Sequence, residues 1–307
     1  MRSRSRIPIL AAMVAIGVGL GGCAATPADE RDTGQGATIT VGAQNTLENR
    51  ILAQIYGQVL ADHGYVVDYN RGVGERAAFI SALQAGSVDL IADTSGELLY
   101  AADDSASARS AADIDDELPD AVESIGLHVL DAAPADNAVA FVVSEDFAST
   151  RHVASIGELA YLADDITIGA GADFSDERYG PAGLLAFYGV VGFDTREIAD
   201  IGGVSTVGSL LTNSLQVAVI PSTSPAIVRN NLRVLADPKA LITAQNIIPL
   251  VNDTANTADV RAIVNPVSAE ITTAVLQKLN ALATASATPS PETIARDWLT
   301  ARKLIRG

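Results

Sequence analysis

Few side chains in this sequence are spaced for bond-breaking chemistry. The three histidines, His63, His128 and His152, lie far apart without metal-ligand spacing, and read as surface or structural residues. No G-x-S-x-G elbow occurs, and no serine stands beside an obvious histidine and acid. Carboxylates are plentiful, but sequence alone does not pair them for acid–base work. The reading is therefore of a protein that is not an enzyme and needs neither metal nor cofactor. Two stretches could hold a ligand. Gly72-Val73-Gly74-Glu75-Arg76-Ala77 matches G-x-G-x-x-A between a strand and a helix, with Asp93 ending the next strand where a ribose-binding acid is expected. Because it follows the second strand rather than the first, a plain glycine turn is favoured over an exported nucleotide-binding protein. The second stretch is DLIADTSGELLY, residues 89–100, where an apolar run passes at Thr94-Ser95-Gly96-Glu97 into a helix. Such a junction can grip a ligand. Its T-x-x-E spacing also fits a capping box that satisfies the helix start internally.

These stretches need a frame. TITVGA (38–43) reads as a strand, 45–64 as a helix with Ile51, Leu52, Ile55, Tyr56, Val59 and Leu60 at helical spacing, 65–70 as a strand, 75–86 as a helix and 89–93 as a strand. This alternation predicts a parallel sheet covered by helices. The acidic stretch within 103–123 reads as a solvated helix face. A second series opens with a strand at 138–147 and continues through 166–171, a helix at 180–192 and a strand at 215–220. The runs at 232–237 and 246–252 are expected to return toward the first series, before helices at 268–286 and 291–304. The fold class is α/β, in two lobes joined by two crossings.

The chain has 307 residues, 48% apolar and 19% charged, with a net charge of −17. That balance supports a sizeable core and argues against a nucleic-acid partner, which needs a basic face. The basic start MRSRSR, a short apolar segment and Leu20-Gly21-Gly22 lead to Cys23, the only cysteine. This resembles a bacterial lipobox. It implies a signal peptide over 1–22 and acylation at Cys23, with 23–37 a flexible tether and the mature protein on the outer face of the cytoplasmic membrane.

Several blocks in order resemble the substrate-binding lipoproteins of osmoprotectant (glycine betaine, choline, carnitine) ABC importers. They are ITVGAQNTLENRILAQIYGQVL, ISALQAGSVDLIADTSGELL, GADFSDERYGPAGLLAFYG, LADPKALITAQNIIPLV and DWLTARKLI. The resemblance implies a two-lobed periplasmic-binding-protein-like fold of type II, with 38–137 plus 246–307 as lobe 1 and 138–245 as lobe 2. It implies a monomer that closes over a small-molecule solute and delivers it to an ABC permease. It places ligand contacts at Gln44, Asn45, Thr94, Ser95, Gly96, Glu97, Asn137, Glu177, Arg178, Tyr179, Ser222, Thr223 and Gln245. A tethered sensor or accessory lipoprotein on the same fold is the alternative.

The departures from the family are chemical. Its aromatic cage holds a quaternary ammonium by cation–π attraction. The corresponding positions here are Thr94, Val139, Pro221 or Ser222, and Gln245. The carboxylate-binding arginine falls at Glu177, with Arg178 one residue away, and the second threonine of the family's "YTGT" is Glu97. Tyr69, Tyr100 and Tyr179 could rebuild part of a cage. The expectation is a solute other than a typical betaine, polar and neutral or amine-bearing.

Overall fold

The structure is a computed structural model and describes residues 36–306 apart from Ser286. Cys23 and the expected signal peptide lie outside the described residues. Two residues at the end of the expected tether are described: Gly36 N–H donates to Gly64 O at 2.9 Å, and Ala37 is buried.

Strand β1 (Thr38–Ala43) buries Ile39, Val41 and Ala43, as its alternation requires. Thr46 caps helix α1 (Leu47–Asp62) by accepting from Asn49 N–H, and Ile51, Leu52, Ile55, Tyr56, Val59 and Leu60 form its buried stripe. Strand β2 (Val66–Arg71), helix α2 (Arg76–Gln84), strand β3 (Leu90–Thr94) and helix α3 (Ser95–Ala102) follow. Helix α4 (Ala111–Ser124) turns Ile114, Leu118 and Val122 inward, and its acidic residues face outward as expected. After the short strand β4 (His128–Val129) the chain crosses to a second sheet. That sheet contains β5 (Val139–Ser144), β6 (Thr167–Ala170), β7 (Asp194–Glu197), β8 (Val217–Pro221) and β9 (Leu232–Val234). Helices α5 (Glu145–Arg151), α6 (Pro181–Tyr188), α7 (Val204–Leu211) and α8 (Pro225–Arg229) lie between them. The chain then returns as β10 (Ile247–Val251) and ends in α9 (Ala258–Glu270), α10 (Thr273–Ala283) and α11 (Pro291–Ala301).

The first sheet has the order β2-β1-β3-β10-β4 and the second β7-β6-β8-β5-β9. In each, four strands run one way and one runs against them: β10 is antiparallel to β3 and β4, and β5 is antiparallel to β8 and β9. The reversed strands are the two that enter from a crossing. Ile247 pairs with Thr94 at the carboxyl end of β3, and Val139 with Pro221 at the carboxyl end of β8. Both crossings therefore arrive where α/β sheets place their ligands. They are also tied together. Asp136 Oδ1 accepts from Ala138 N–H at 2.8 Å and Gln245 N–H at 3.0 Å, and Asn137 N–H donates to Gln245 O at 2.9 Å.

Several boundaries differ from the sequence reading. The strand expected over 138–147 stops at Ser144, whose hydroxyl accepts from Phe147 N–H and starts α5. The helix expected over 180–192 ends at Tyr188, because Gly189 adopts φ +69°. The run at 232–237 does not return to the first sheet; its strand β9 stays at the edge of the second, paired with β5. The helix expected over 268–286 is two helices, with Thr272 capping the second through Val275 N–H.

Candidate functional site

A cleft of about 550 Å³ opens between the carboxyl ends of the two sheets. Seven of the thirteen residues expected to contact a solute line it: Thr94 and Glu97 from the start of α3, Asn137 and Gln245 from the two crossings, and Glu177, Arg178 and Tyr179 from the loop before α6. Val139, at a position where the resemblance expects an aromatic, lines it too.

The other six are engaged elsewhere. The Gln44 carbonyl accepts from Asn49 Nδ2 at 3.1 Å, and the Asn45 carbonyl takes an Arg50 Nη2 donor, so both side chains are turned to α1. Ser95 is fully buried and accepts from Asn246 N–H at 3.1 Å. Gly96 lies against the second crossing, where a Cβ would stand 2.4 Å from the Ala244 carbonyl oxygen. Ser222 and Thr223 enter a network between the lobes. Ser222 Oγ donates to Asp136 O at 2.5 Å, Thr223 Oγ1 donates to Asn137 Oδ1 at 2.8 Å, and Asn137 Nδ2 donates to Glu48 Oε1 at 2.8 Å. Asn280 Nδ2 donates to the other Glu48 oxygen and to Thr223 O, and Gln277 Nε2 to Ser222 O at 2.7 Å. Burial raises the pKa of Glu48, against the lowering effect of its hydrogen bonds to Asn280 and Thr223.

The capping box does not form. Thr94 is the N-cap of α3 but its hydroxyl makes no cap bond; it accepts from Arg76 Nη2 at 3.2 Å. The Glu97 carboxylate reaches Arg76 Nη1 at 3.5 Å, and Glu97 N–H donates to Gln245 Oε1 at 3.0 Å. An arginine seventeen residues before Asp93 thus takes both partners away from the box. Arg76 also holds the buried Asp93 in a two-pronged pair, Nε to Oδ2 and Nη2 to Oδ1, both 2.9 Å. This counts against the nucleotide reading of Gly72 to Ala77. The glycines turn with φ +90° and +89°, and the acid that would hold a ribose is bound to the motif's own arginine.

What remains open to a solute is acidic. Glu97, Asp104 and Glu177 line the cleft against the single guanidinium of Arg178. Burial, and then the negative charges of Asp173 and Glu97, raise the pKa of Glu177, so carboxylates from the two lobes oppose each other across the space. Burial, with Glu177 and Asp173, pushes the Tyr179 phenol up to about 12, which keeps it a donor. Tyr100, three residues beyond Glu97 on α3, lines the cleft with its hydroxyl donating to Ala108 O at 2.8 Å. Its ring is covered by Arg178, 5.3 Å from guanidinium carbon to ring centroid. Tyr69 lies away from the cleft, its hydroxyl over Gly57 of α1. Tyr100 was legible from its helical spacing to Glu97. Arg76 was not, because nothing local ties it to Asp93.

A sequence model of the substrate-binding domain of ABC-type glycine betaine transport systems (OpuAC) matches residues 37–301. A crystal structure described as a glycine betaine/carnitine/choline ABC transporter superposes with a TM-score of 0.79 at 20% identity, over 88% of this chain and 99% of that one. Apo YehZ from Escherichia coli gives 0.76 at 21% identity, over 87% and 99%. Lactococcal OpuAC, closed around glycine betaine, gives 0.53 at 16% identity, over 88% and 99%.

Proposed function

The chain belongs to the family of substrate-binding domains of ABC-type glycine betaine transport systems, and from that membership we propose that it captures a small amine-bearing cation between its lobes for an ABC permease. The observation that carries the choice of solute is the pair Glu97 and Glu177, one from each side of the cleft, with Asp104 also in the lining, against Arg178 in the lining and Arg76, which reaches Glu97 at 3.5 Å. A protonated amine donates hydrogen bonds to both carboxylates and relieves their repulsion, whereas a quaternary ammonium can donate none. The aromatic face of Tyr100 that could serve a quaternary ammonium is occupied by Arg178. A zwitterion would bring a third negative group toward two that already repel.

Calorimetry on the purified protein tests this. A hydroxylated monoamine such as ethanolamine should bind at least tenfold more tightly than choline or glycine betaine; tighter binding of either of those overturns the reading. The mature protein is proposed to be tethered through acylated Cys23 after loss of residues 1–22, on the strength of the lipobox-like sequence. Incorporation of labelled fatty acid into the wild type and its loss in C23S would support that tether; equal labelling of both would count against it.

A further inference from the structure

A second crevice, sharing no residue with the cleft, lies between α1, β2 and the start of α11 and has a volume of about 150 Å³. Arg50, Arg71, Gln54, Tyr69, Ser290 and Glu292 supply its polar lining. Arg50 donates through Nη2 to Asn45, but its Nε is shut off from solvent with no acceptor. Arg71 makes no ion pair among the described residues, and the one carboxylate of the crevice, Glu292, is held by Arg296 at 2.6 Å. Gln54 is buried, and its carbonyl accepts from Gln58 Nε2 at 3.1 Å, which leaves its amide nitrogen as a donor. The crevice therefore gathers donors and positive charge in a protein whose net charge is −17.

We propose that this crevice is a binding site for a small tetrahedral oxyanion of the phosphate or sulfate kind. The volume is roughly five waters' share of the liquid, enough for such an ion with part of its hydration shell. Its oxygens would meet the fork of Arg71, a bidentate partner for phosphate, with the Gln54 amide and the Tyr69 hydroxyl as further donors in the lining. Burial, with the charge of Glu292, pushes the Tyr69 phenol up to about 12, so its hydroxyl stays protonated and able to donate.

Thermal melts in sodium phosphate or sulfate, against sodium chloride of matched ionic strength, test the site in the wild type and in R71Q. Arg71 is exposed, so R71Q should melt as the wild type does in chloride. A saturating rise in melting temperature with the oxyanion, present in the wild type and lost in R71Q, is the expected result. Calorimetric affinity for phosphate should fall tenfold or more. A rise of equal size in both proteins, or one that climbs without saturating, is general salt exclusion and overturns the proposal. Solute binding in the cleft should be the same in both proteins, so this result stands apart from the choice of cleft solute.

Discussion

The guanidinium of Arg178 sits over the ring of Tyr100, 5.3 Å from its centroid, so a cation from the second lobe covers an aromatic face presented by the first. The contact bridges the cleft and occupies one face of that ring. Removing the tethered cation should uncover that face. In R178Q the affinity for choline should rise by the worth of a cation–π contact, about 0.5–2 kcal/mol, or roughly two- to thirtyfold. Calorimetry on both proteins decides it. Unchanged choline binding would show that Arg178 does not compete for the ring, and weakened glycine betaine binding would show that it serves a carboxylate instead.

Glu177 gives the cleft a pH dependence. Its carboxyl is held above its ordinary value of 4.5 by burial and by Asp173 and Glu97. A group that keeps its proton more firmly in the folded state contributes stability below 4.5 and loses that contribution as pH rises through the folded value. The unliganded protein should therefore lose stability relative to E177Q across the window just above pH 4.5. An amine, which favours the ionised form, should restore it and bind more tightly over the same window. Melting curves at stepped pH for the two proteins measure the difference, and a difference that stays flat with pH contradicts the assignment.

Arg76 and Asp93 make a structural demand of their own. Asp93 is 2% exposed at its side chain and Arg76 26%. Replacing Arg76 with Met strands a buried carboxylate, which costs about 2–4 kcal/mol, toward the lower end for so partly exposed a cation. R76M should melt roughly 5–15 °C lower, and the double variant R76M/D93N should recover part of the loss. A single variant that melts as the wild type does would mean that Asp93 finds another partner.

Gly96 is fixed by close approach. A methyl group there would meet the Ala244 carbonyl oxygen at 2.4 Å, pressing α3 against the second crossing. G96A should destabilise by about 1–3 kcal/mol. Because the crossing also carries Gln245, solute binding should weaken more than stability alone explains. Calorimetry below the melting transition separates the two effects; full affinity in G96A would show that Gln245 keeps its place.

Local pattern carried most of the frame, and long-range pairing carried most of what was missed. Strand β1 occupies the residues expected of it, because TITVGA alternates cleanly between turn-forming neighbours. Strand β7 was illegible because all four of its residues are exposed and nothing in them alternates. In the cleft, Thr94 and Glu97 could be found from the strand-to-helix junction that bears them. Their use by Arg76 and Gln245 could not, since Gln245 is 148 residues from Glu97. The network around Glu48 spans 89 residues to Asn137 and 232 to Asn280, so nothing local showed that Ser222 and Thr223, expected as solute contacts, give their hydroxyls to Asp136 and Asn137.

The placement of β10 bears on how the chain is made. The second sheet has all its strands once residue 234 has been synthesised, whereas the first lacks the strand between β3 and β4 until residue 251. A chain emerging amino end first usually completes its domains in order. Here the later lobe can close before the earlier one, and β1 to β4 wait as an incomplete sheet with the edge of β3 uncovered. An unpaired strand edge is open to pairing with other backbone, and the arrival of Ile247–Val251 ends the exposure.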